Sequence, residues 1–179
     1  ALNENWDVNY GAGGVQNGYA EQKQENTAWA LFVSGEYDVS DNFVLRGGLR
    51  YTDDEKEFEA QRFVSPFGAP PTGILRADPD DSDVSGDISG VWTVDDDLNF
   101  YARVARGFRA PSVQGRLLFG DSISVAESET VLSFEAGVKA DLFEDRTRVG
   151  FNLFNYRVND QQLTAVGGQT NFNTRINAD

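Results

Sequence analysis

The stretch FYARVARGFRAPS, residues 100–112, predicts a β-strand with a defined end. Its first half alternates between two kinds of side chain: Phe100, Ala102 and Val104 on one side, Tyr101 and Arg103 on the other. A period of two residues places the two sets on opposite faces of a sheet. Pro111 has no backbone N–H for a sheet hydrogen bond, so the strand is expected to end near Ala110.

Arginines recur through the same stretch, at Arg103, Arg106 and Arg109. Charged side chains are rare in strands that are buried in a protein core, because an unpaired buried charge is costly. The stretch therefore predicts a sheet whose two faces meet different surroundings, one apolar and one aqueous.

The same alternation continues on both sides of this stretch. Strands are predicted at residues 27–37, 43–52, 83–94, 129–143 and 147–158, with a short one at 162–166. The charged run 53–60 is expected to continue the second of these strands beyond its apolar part. The polar, glycine-rich segment 1–26 is expected to hold a strand remnant at 6–10 and then a mobile loop.

Short and long connections alternate between the predicted strands. Tight polar turns are predicted at 38–42, 95–97 and 144–146, and long loops at 61–82 and 113–128. In an antiparallel meander this order places the short turns at one end and the long loops at the other, as in bacterial outer-membrane barrels. A soluble β-sandwich has turns at roughly 8–12-residue spacing and no fixed end for its long loops.

Strand length favours the barrel. Predicted strands of about 10–14 residues exceed the usual five or six of globular sheets and match a tilted crossing of a roughly 25 Å apolar band. Aromatic residues lie near the strand ends, as in a membrane girdle: Trp29, Tyr37, Tyr51, Trp92 and Phe143. The predicted fold class is all-β, an antiparallel up-and-down transmembrane β-barrel fragment of six to eight strands. A soluble β-rich binding or adhesion module of a bacterial envelope protein is the alternative.

Composition argues against several classes of function. The net charge is −14, so a nucleic acid, which is bound through Lys and Arg, is a poor partner. Histidine and cysteine are absent, which excludes a Ser-His-Asp triad and the usual zinc ligands. The acidic run 78–83 lacks the glycine and terminal glutamate of a calcium-binding loop. No enzyme activity, cofactor or metal site is predicted.

Five segments in order resemble the barrel of TonB-dependent outer-membrane receptors. RVARGFRAPS at 103–112 is similar to a strand of that family that ends in a GF-R-A-P sequence. The other four are similar to further barrel strands of the family: 29–32 (WALF), 45–56 (LRGGLRYTDDEK), 127–139 (ESETVLSFEAGVK) and 148–162 (RVGFNLFNYRVNDQQ). The resemblance covers residues 27–179.

This resemblance implies a ligand-gated importer. Receptors of the family have a barrel of about 22 strands and an N-terminal plug, are energised by the inner-membrane TonB complex, and take up ferric siderophores, vitamins or carbohydrates. Residues 1–179 are then expected to be a partial barrel domain, excised from a longer protein, without the plug and the C-terminal strands. The expected partners are outer-membrane lipid, the plug, the TonB complex and a small nutrient ligand, and the expected location is the bacterial outer membrane.

Two groups of residues are candidate functional positions. The first group is expected to face the lumen and the plug: Arg46, Arg50, Arg103, Glu135, Lys139 and Arg148. The alternative for this group is a hydrated wall with mutual ion pairs. The second group lies in the predicted long loops and supplies candidate ligand contacts: Arg62, Phe63, Phe67, Arg76, Arg116 and Phe119. The alternative for the second group is packing within the loops. The arginines of 100–112 are expected to find their partner in the plug or its water, outside this chain.

Overall fold

The computed structural model describes residues 2–8, 18–118, 120–144, 146–167 and 173–178, with the backbone alone for residues 2–8. Within these ranges the chain forms β-strands joined by turns and loops. None of the described segments is a helix long and apolar enough to cross a bilayer.

The strands form one large sheet and two small ones. In chain order they are β1 (Leu2–Val8), β2 (Gly18–Ser40), β3 (Phe43–Val64), β4 (Leu75–Ala77), β5 (Asp80–Asp95), β6 (Leu98–Arg109), β7 (Ser112–Gln114), β8 (Ser124–Ala126), β9 (Glu129–Leu142), β10 (Thr147–Asn159), β11 (Gln161–Val166) and β12 (Asn173–Ala178). The large sheet has the order β1-β2-β3-β5-β6-β9-β10, with β4 paired to β3, and its neighbouring strands are antiparallel. β7 pairs with β8, and β11 with β12.

The predicted antiparallel meander is confirmed. Short turns at 41–42 and 96–97 join β2 to β3 and β5 to β6, and a turn that includes residues 143, 144 and 146 joins β9 to β10, at the same end of the sheet. β6 ends at Arg109, directly before Ala110 and Pro111, as the proline predicts. Within the described residues the sheet stays open, with β1 and β10 at its edges. The end that carries the long loops is called the outer end below.

The register gathers most apolar side chains of the long strands on one face, the apolar face. Directly opposed residues of an antiparallel sheet point to the same side, and one such row crosses five strands: Phe43, Trp92, Phe100, Val138 and Phe151. Many side chains of the apolar face are exposed: Phe151 in this row is 60% exposed, and Leu31 on β2 is 72% exposed. A continuous exposed apolar surface is uncommon on a soluble monomer and is what contact with lipid requires.

Aromatic pairs mark both ends of the apolar face. The rings of Trp29 and Tyr51 lie 5.3 Å apart towards the outer end, and those of Trp92 and Phe100 lie 6.1 Å apart towards the short turns. Between these two levels, residues 43–51 of β3 rise about 26 Å along the strand, or roughly 20 Å along the membrane normal at the usual tilt. This height agrees with a hydrocarbon band between two aromatic girdles.

β2 and β3 extend further than the sequence predicts. Their pairing continues up to Tyr19 and Val64, so residues 18–26 and 61–64 are strand, where loops were predicted. The predicted continuation over 53–60 is confirmed. Both faces of this extension carry polar side chains, and without an apolar face the period of two disappears from the sequence. The loop predicted before Gly18 falls on residues 9–17, which lie outside the described residues.

Short strands also occur where long loops or a polar tail were predicted. β4 and the first residues of β5 lie in 61–82, and β8 and the last two residues of β7 lie in 113–128. β11 confirms the short strand predicted at 162–166, but β12 was missed. The segment NTRINA has one large apolar residue, Ile176, so its alternation carries no signal.

The largest buried cluster is small and lies at the outer end. Phe58, Ala60 and Leu117 are buried together, and Leu75, Val113 and Ile123 pack against them. Residues 110–128, called the β6–β9 loop, therefore fold back over the sheet on the side opposite the apolar face. A soluble chain of this length would bury a far larger core, so little of the apolar surface of the described residues is buried within the chain.

Candidate functional site

All six residues that were predicted to face the lumen lie on one face of the sheet, opposite the apolar face. This surface is called the wall face, and the six are Arg46, Arg50, Arg103, Glu135, Lys139 and Arg148. Successive side chains of a strand point to opposite faces of the sheet, and each of the six lies next in sequence to residues on the apolar face. All six therefore point to the other face. That the wall face lines the lumen of a closed barrel remains a prediction.

Carboxylates of the same sheet neutralise three of these cations. Arg46 forms an ion pair with Glu36. The Nε atom of Arg103 lies 3.1 Å from Asp87 Oδ2. Arg148 donates two hydrogen bonds to the Asp141 carboxylate: Nε to Oδ1 at 2.6 Å and Nη2 to Oδ2 at 2.7 Å. The ion pairs favour the alternative of a hydrated, self-paired wall. For Arg103 they correct the expectation that its partner lies outside this chain.

Glu135 and Lys139 are linked through a tyrosine. Tyr101 donates a hydrogen bond to Glu135 Oε1 at 2.7 Å, and Lys139 Nζ lies 5.5 Å from the centre of the Tyr101 ring. An ammonium group is attracted to the face of an aromatic ring at this distance. The three side chains therefore form a connected polar cluster across β6 and β9.

β5 and β6 separate at the outer end. Their last opposed pair is Gly86 and Arg106, and above it β5 pairs only with β3, and β6 only with β9. The Arg106 guanidinium spans the gap: Nη1 and Nη2 each donate to the Asp83 carboxylate at 2.7 Å, and Nη1 also donates to the Val84 carbonyl. Arg106 thus supplies hydrogen bonds where the pairing of the strands stops, so its partner also lies within the chain.

An open cavity of about 740 Å³ lies on the wall face, beside the point where β5 and β6 separate. The GF-R-A-P segment forms one side through Gly107, Phe108 and Ala110, and β2 and β3 contribute Phe32 and Arg50. The stretch that ends the strand therefore also forms a side of a recess in the sheet.

Arg62 is placed differently from the prediction. It lies in β3 rather than in a loop, and its side chain is 2% exposed. Its guanidinium donates to the carbonyls of Pro70 at 2.8 Å, Leu117 at 2.9 Å and Gly120 at 2.9 Å, and to Asp121 Oδ1 at 2.6 Å. Arg62 therefore fastens the β3–β4 loop (residues 65–74) and the β6–β9 loop together.

The other candidate ligand contacts are spread over the outer end. Phe63 lies in β3, with its ring 5.3 Å from that of Tyr19, so its predicted loop position is corrected. Arg76 lies in β4, also outside a loop, and its Nε is 2.6 Å from Glu59 Oε1. Phe67 is 66% exposed in the β3–β4 loop, and Arg116 is partly buried in the β6–β9 loop. Phe119 lies outside the described residues. Ligand contact by this group remains a prediction.

A glycine fixes how closely the β6–β9 loop approaches the sheet. A Cβ atom at Gly115 would lie less than 3.0 Å from the Phe58 ring. Real Cβ atoms do not make such contacts, so the loop can pack in this place only with glycine there. No sequence period marks this position.

The β11–β12 hairpin fastens the far side of the same loop. Gln162, which is 6% exposed, donates from Nε2 to the carbonyls of Ala110 and Glu127, both at 2.8 Å. The Asn177 side chain accepts a hydrogen bond from the Glu127 N–H at 2.7 Å. Sequence reasoning missed both residues, because buried amides that bind distant carbonyls leave no local pattern.

The extension of β2 beyond Trp29 carries an exposed ion pair. Lys23 and Glu25 hydrogen-bond each other, and this contact raises the pKa of Lys23 and lowers the pKa of Glu25 from their ordinary values. Both groups are therefore charged at neutral pH. Among the described residues no cluster of three or more His, Cys, Asp or Glu side chains is arranged to hold a metal ion.

An open sheet with a lipid-height apolar face, a charged opposite face and all its short turns at one end has the architecture of an outer-membrane β-barrel wall. A family model described as "TonB dependent receptor-like, beta-barrel" matches residues 2–179. The chain therefore belongs to the β-barrel family of TonB-dependent receptors, as the sequence resemblance predicts. This family consists of outer-membrane receptors and transporters rather than enzymes.

Among solved structures, the chain is similar to the ferric yersiniabactin uptake receptor FyuA from Yersinia pestis. The TM-score is 0.73 and the sequence identity 18%, and the match covers 90% of this chain and 24% of FyuA. The chain thus spans about a quarter of the length of that receptor. The likeness is one of fold.

Proposed function

We propose that this chain forms part of the barrel of a TonB-dependent transporter that binds and imports a scarce nutrient across the bacterial outer membrane. The nutrient is a ferric siderophore, a vitamin or a carbohydrate, and the similarity to FyuA favours a ferric siderophore. In this proposal residues 1–179 supply one section of the wall. A plug domain, further strands, outer-membrane lipid and the TonB complex are its partners.

The continuous apolar face carries this proposal. It crosses the six long strands in register, is bordered by aromatic pairs, and has the height of a hydrocarbon band. A soluble binding or adhesion module would have to cover this surface with a second layer. Membership of the receptor family then gives the membrane-spanning wall its transport role.

The two groups of candidate residues receive distinct roles in this proposal. The wall face lines the lumen and meets the plug, with Arg46, Arg103 and Arg148 held in place by their own carboxylates. Ligand contact falls to the outer end, where Phe67 is exposed and where Phe63, Arg76, Arg116 and Phe119 are the other candidates. Arg62 is excluded from direct recognition, because its guanidinium is buried and donates to loop carbonyls.

Uptake by cells that carry the full-length receptor tests the function. Deletion of the receptor gene is expected to abolish uptake of one compound from a panel of radioiron-loaded siderophores, cobalamin and maltodextrins. Deletion of TonB is expected to have the same effect, and the complemented strain restores uptake. Membrane fractionation is expected to recover the receptor with the outer membrane. Uptake that persists without TonB, or a receptor recovered in the soluble fraction, contradicts the proposal.

A further inference from the structure

We propose that Phe32 and Arg50 form a docking point on the wall face for an acidic segment of the plug domain. The inference rests on the proposed function, since it requires a barrel that encloses a plug. The two residues are directly opposed on β2 and β3, so their side chains lie next to each other on the same face.

The sheet leaves the charge of Arg50 uncompensated. Its Nε donates to Thr52 Oγ1 at 3.0 Å, and among the described residues it has no carboxylate within ion-pair distance. The nearby carboxylates are engaged by other cations: Asp54 by Lys56, Asp83 by Arg106 and Asp87 by Arg103. Arg46, Arg103 and Arg148 on the same face each have a carboxylate of their own. Arg50 is therefore positioned to receive an anion from outside the sheet.

Phe32 is an exposed aromatic side chain on the wall face, at 70% exposure, as is Phe154 opposite Glu135. Phe32 differs in lying beside Arg50 in the cavity, and burial of apolar area is worth about 25 cal/mol per Å². Phe32 and Arg50 lie on one side of the 740 Å³ cavity, and Phe108 lies on the other. A plug segment with a carboxylate beside an aliphatic or aromatic side chain would pair with the Arg50 guanidinium and bury the Phe32 ring.

The position of the cavity along the strands favours the plug, rather than an outer loop, as its occupant. Val33 and Leu49, which belong to the apolar face, contribute to its lining, so the cavity lies at the height of the hydrocarbon band. The outer loops pack further out, against Phe58 and Ala60. At this depth the wall of the proposed barrel meets the plug, and an acidic plug segment matches the free cation.

Site-specific photo-crosslinking in the full-length receptor tests this docking point. A benzoylphenylalanine residue in place of Phe32 is expected to crosslink to the plug, and mass spectrometry is expected to place the product beside an Asp or Glu. The same probe at Leu31 is the matched control, because Leu31 is adjacent and equally exposed but lies on the apolar face. Crosslinks from position 32 to the outer loops alone, or none to the plug, overturn the proposal.

Charge reversal tests the role of Arg50. Arg50→Glu is expected to increase proteolytic release of the plug about fivefold, in the range of a lost charge pair. Arg46→Glu is the comparison variant: Arg46 lies on the same plug-facing wall, but its charge is already paired with Glu36, so its reversal is expected to increase release less than Arg50→Glu. A second substitution, which replaces the crosslinked Asp or Glu of the plug by arginine, is expected to return the rate of proteolytic release in Arg50→Glu to that of the unchanged receptor. An unchanged release rate, or no rescue, overturns the proposal.

Failure of the docking point and failure of the proposed function give different results. A receptor that supports TonB-dependent uptake but gives no plug crosslink from position 32 contradicts the docking point alone. A full-length protein without a plug or without TonB-dependent uptake contradicts the proposed function itself.

Discussion

Arg62 takes a role that its place in the sequence does not suggest. It follows a run of charged and polar residues and precedes a proline-rich segment, which together indicate an exposed loop. In the folded chain its guanidinium is buried and donates to carbonyls of two loops that are distant in sequence. A planar group with five donors suits such a junction, because one side chain can hold several acceptors in fixed directions.

Replacement of Arg62 by methionine tests this junction. The variant keeps much of the side-chain volume but leaves the carbonyls of Leu117, Gly120 and Pro70 without their donor, and unpaired buried carbonyls cost about 1–3 kcal/mol each. We expect faster hydrogen exchange in the β6–β9 loop, with unchanged exchange in the spanning parts of β5 and β6. Arg76→Met is the control, since its ion pair with Glu59 is exposed and of little weight. Equal rates of hydrogen exchange in the β6–β9 loop of both variants would contradict the role of Arg62 in holding the two loops together.

The long strands owe their two-sided character to register. Opposed pairs such as Val104–Phe134 and Ala136–Leu153 hold apolar groups on one face, while Arg103–Glu135 holds charge on the other. A slip by one residue in any strand would turn its charged set towards lipid. The close fit of the strands at Gly137, where a Cβ atom would overlap the Tyr101 ring, also opposes such a slip.

Two substitutions on β10 distinguish the faces. Leu153→Arg places a charge on the apolar face near the middle of its height, and we expect a loss of about 2–4 kcal/mol in stability. Asn152→Arg, one residue earlier on the wall face, is expected to change stability by less than about 1 kcal/mol. Guanidinium unfolding of the full-length receptor in lipid vesicles measures both. Equal losses at the two positions contradict the assignment of the apolar face to lipid.

At the scale of the molecule, the described structure is one large sheet with two small ones, and its buried hydrophobic cluster consists of a few residues at the outer end. Hydrophobic burial is the main favourable term in folding, and the proposed placement in the outer membrane would supply it through lipid on the apolar face. The same arrangement leaves β1 and β10 as edges of the described sheet. Unpaired backbone groups are costly in a bilayer, so these edges require neighbouring strands there.

Fluorescence quenching by brominated lipids checks the position of the whole sheet in the bilayer. Trp29 and Trp92 lie towards opposite ends of the apolar face, each paired with another aromatic ring. In single-tryptophan variants of the refolded receptor, we expect both residues to be quenched most by lipids brominated near the headgroups, because indole rings prefer the interface. Strongest quenching by deep bromines, or none, contradicts this placement.

The sequence by itself determined the spanning part of the fold. Alternation with a period of two, polar turns and the proline after β6 are local consequences of strand geometry, and they predict the long strands, their order and the two faces. The motif segments predict the receptor family, which the family model confirms. These features could be predicted without the fold because an apolar and an aqueous surrounding impose opposite requirements on alternate residues.

Only the tertiary structure decided what happens beyond the apolar face. There both faces of β2 and β3 meet water or loops, so a hydrophobic period of two no longer marks the strands. The sequence therefore predicts loops at residues 18–26 and 61–64, where the structure has strands. The burial of Arg62, the need for glycine beside Phe58 and the ion pairs of the wall depend on which distant residues the register and the loops bring together. Contacts between residues far apart in the chain leave no local pattern, and therefore the sequence could not predict them.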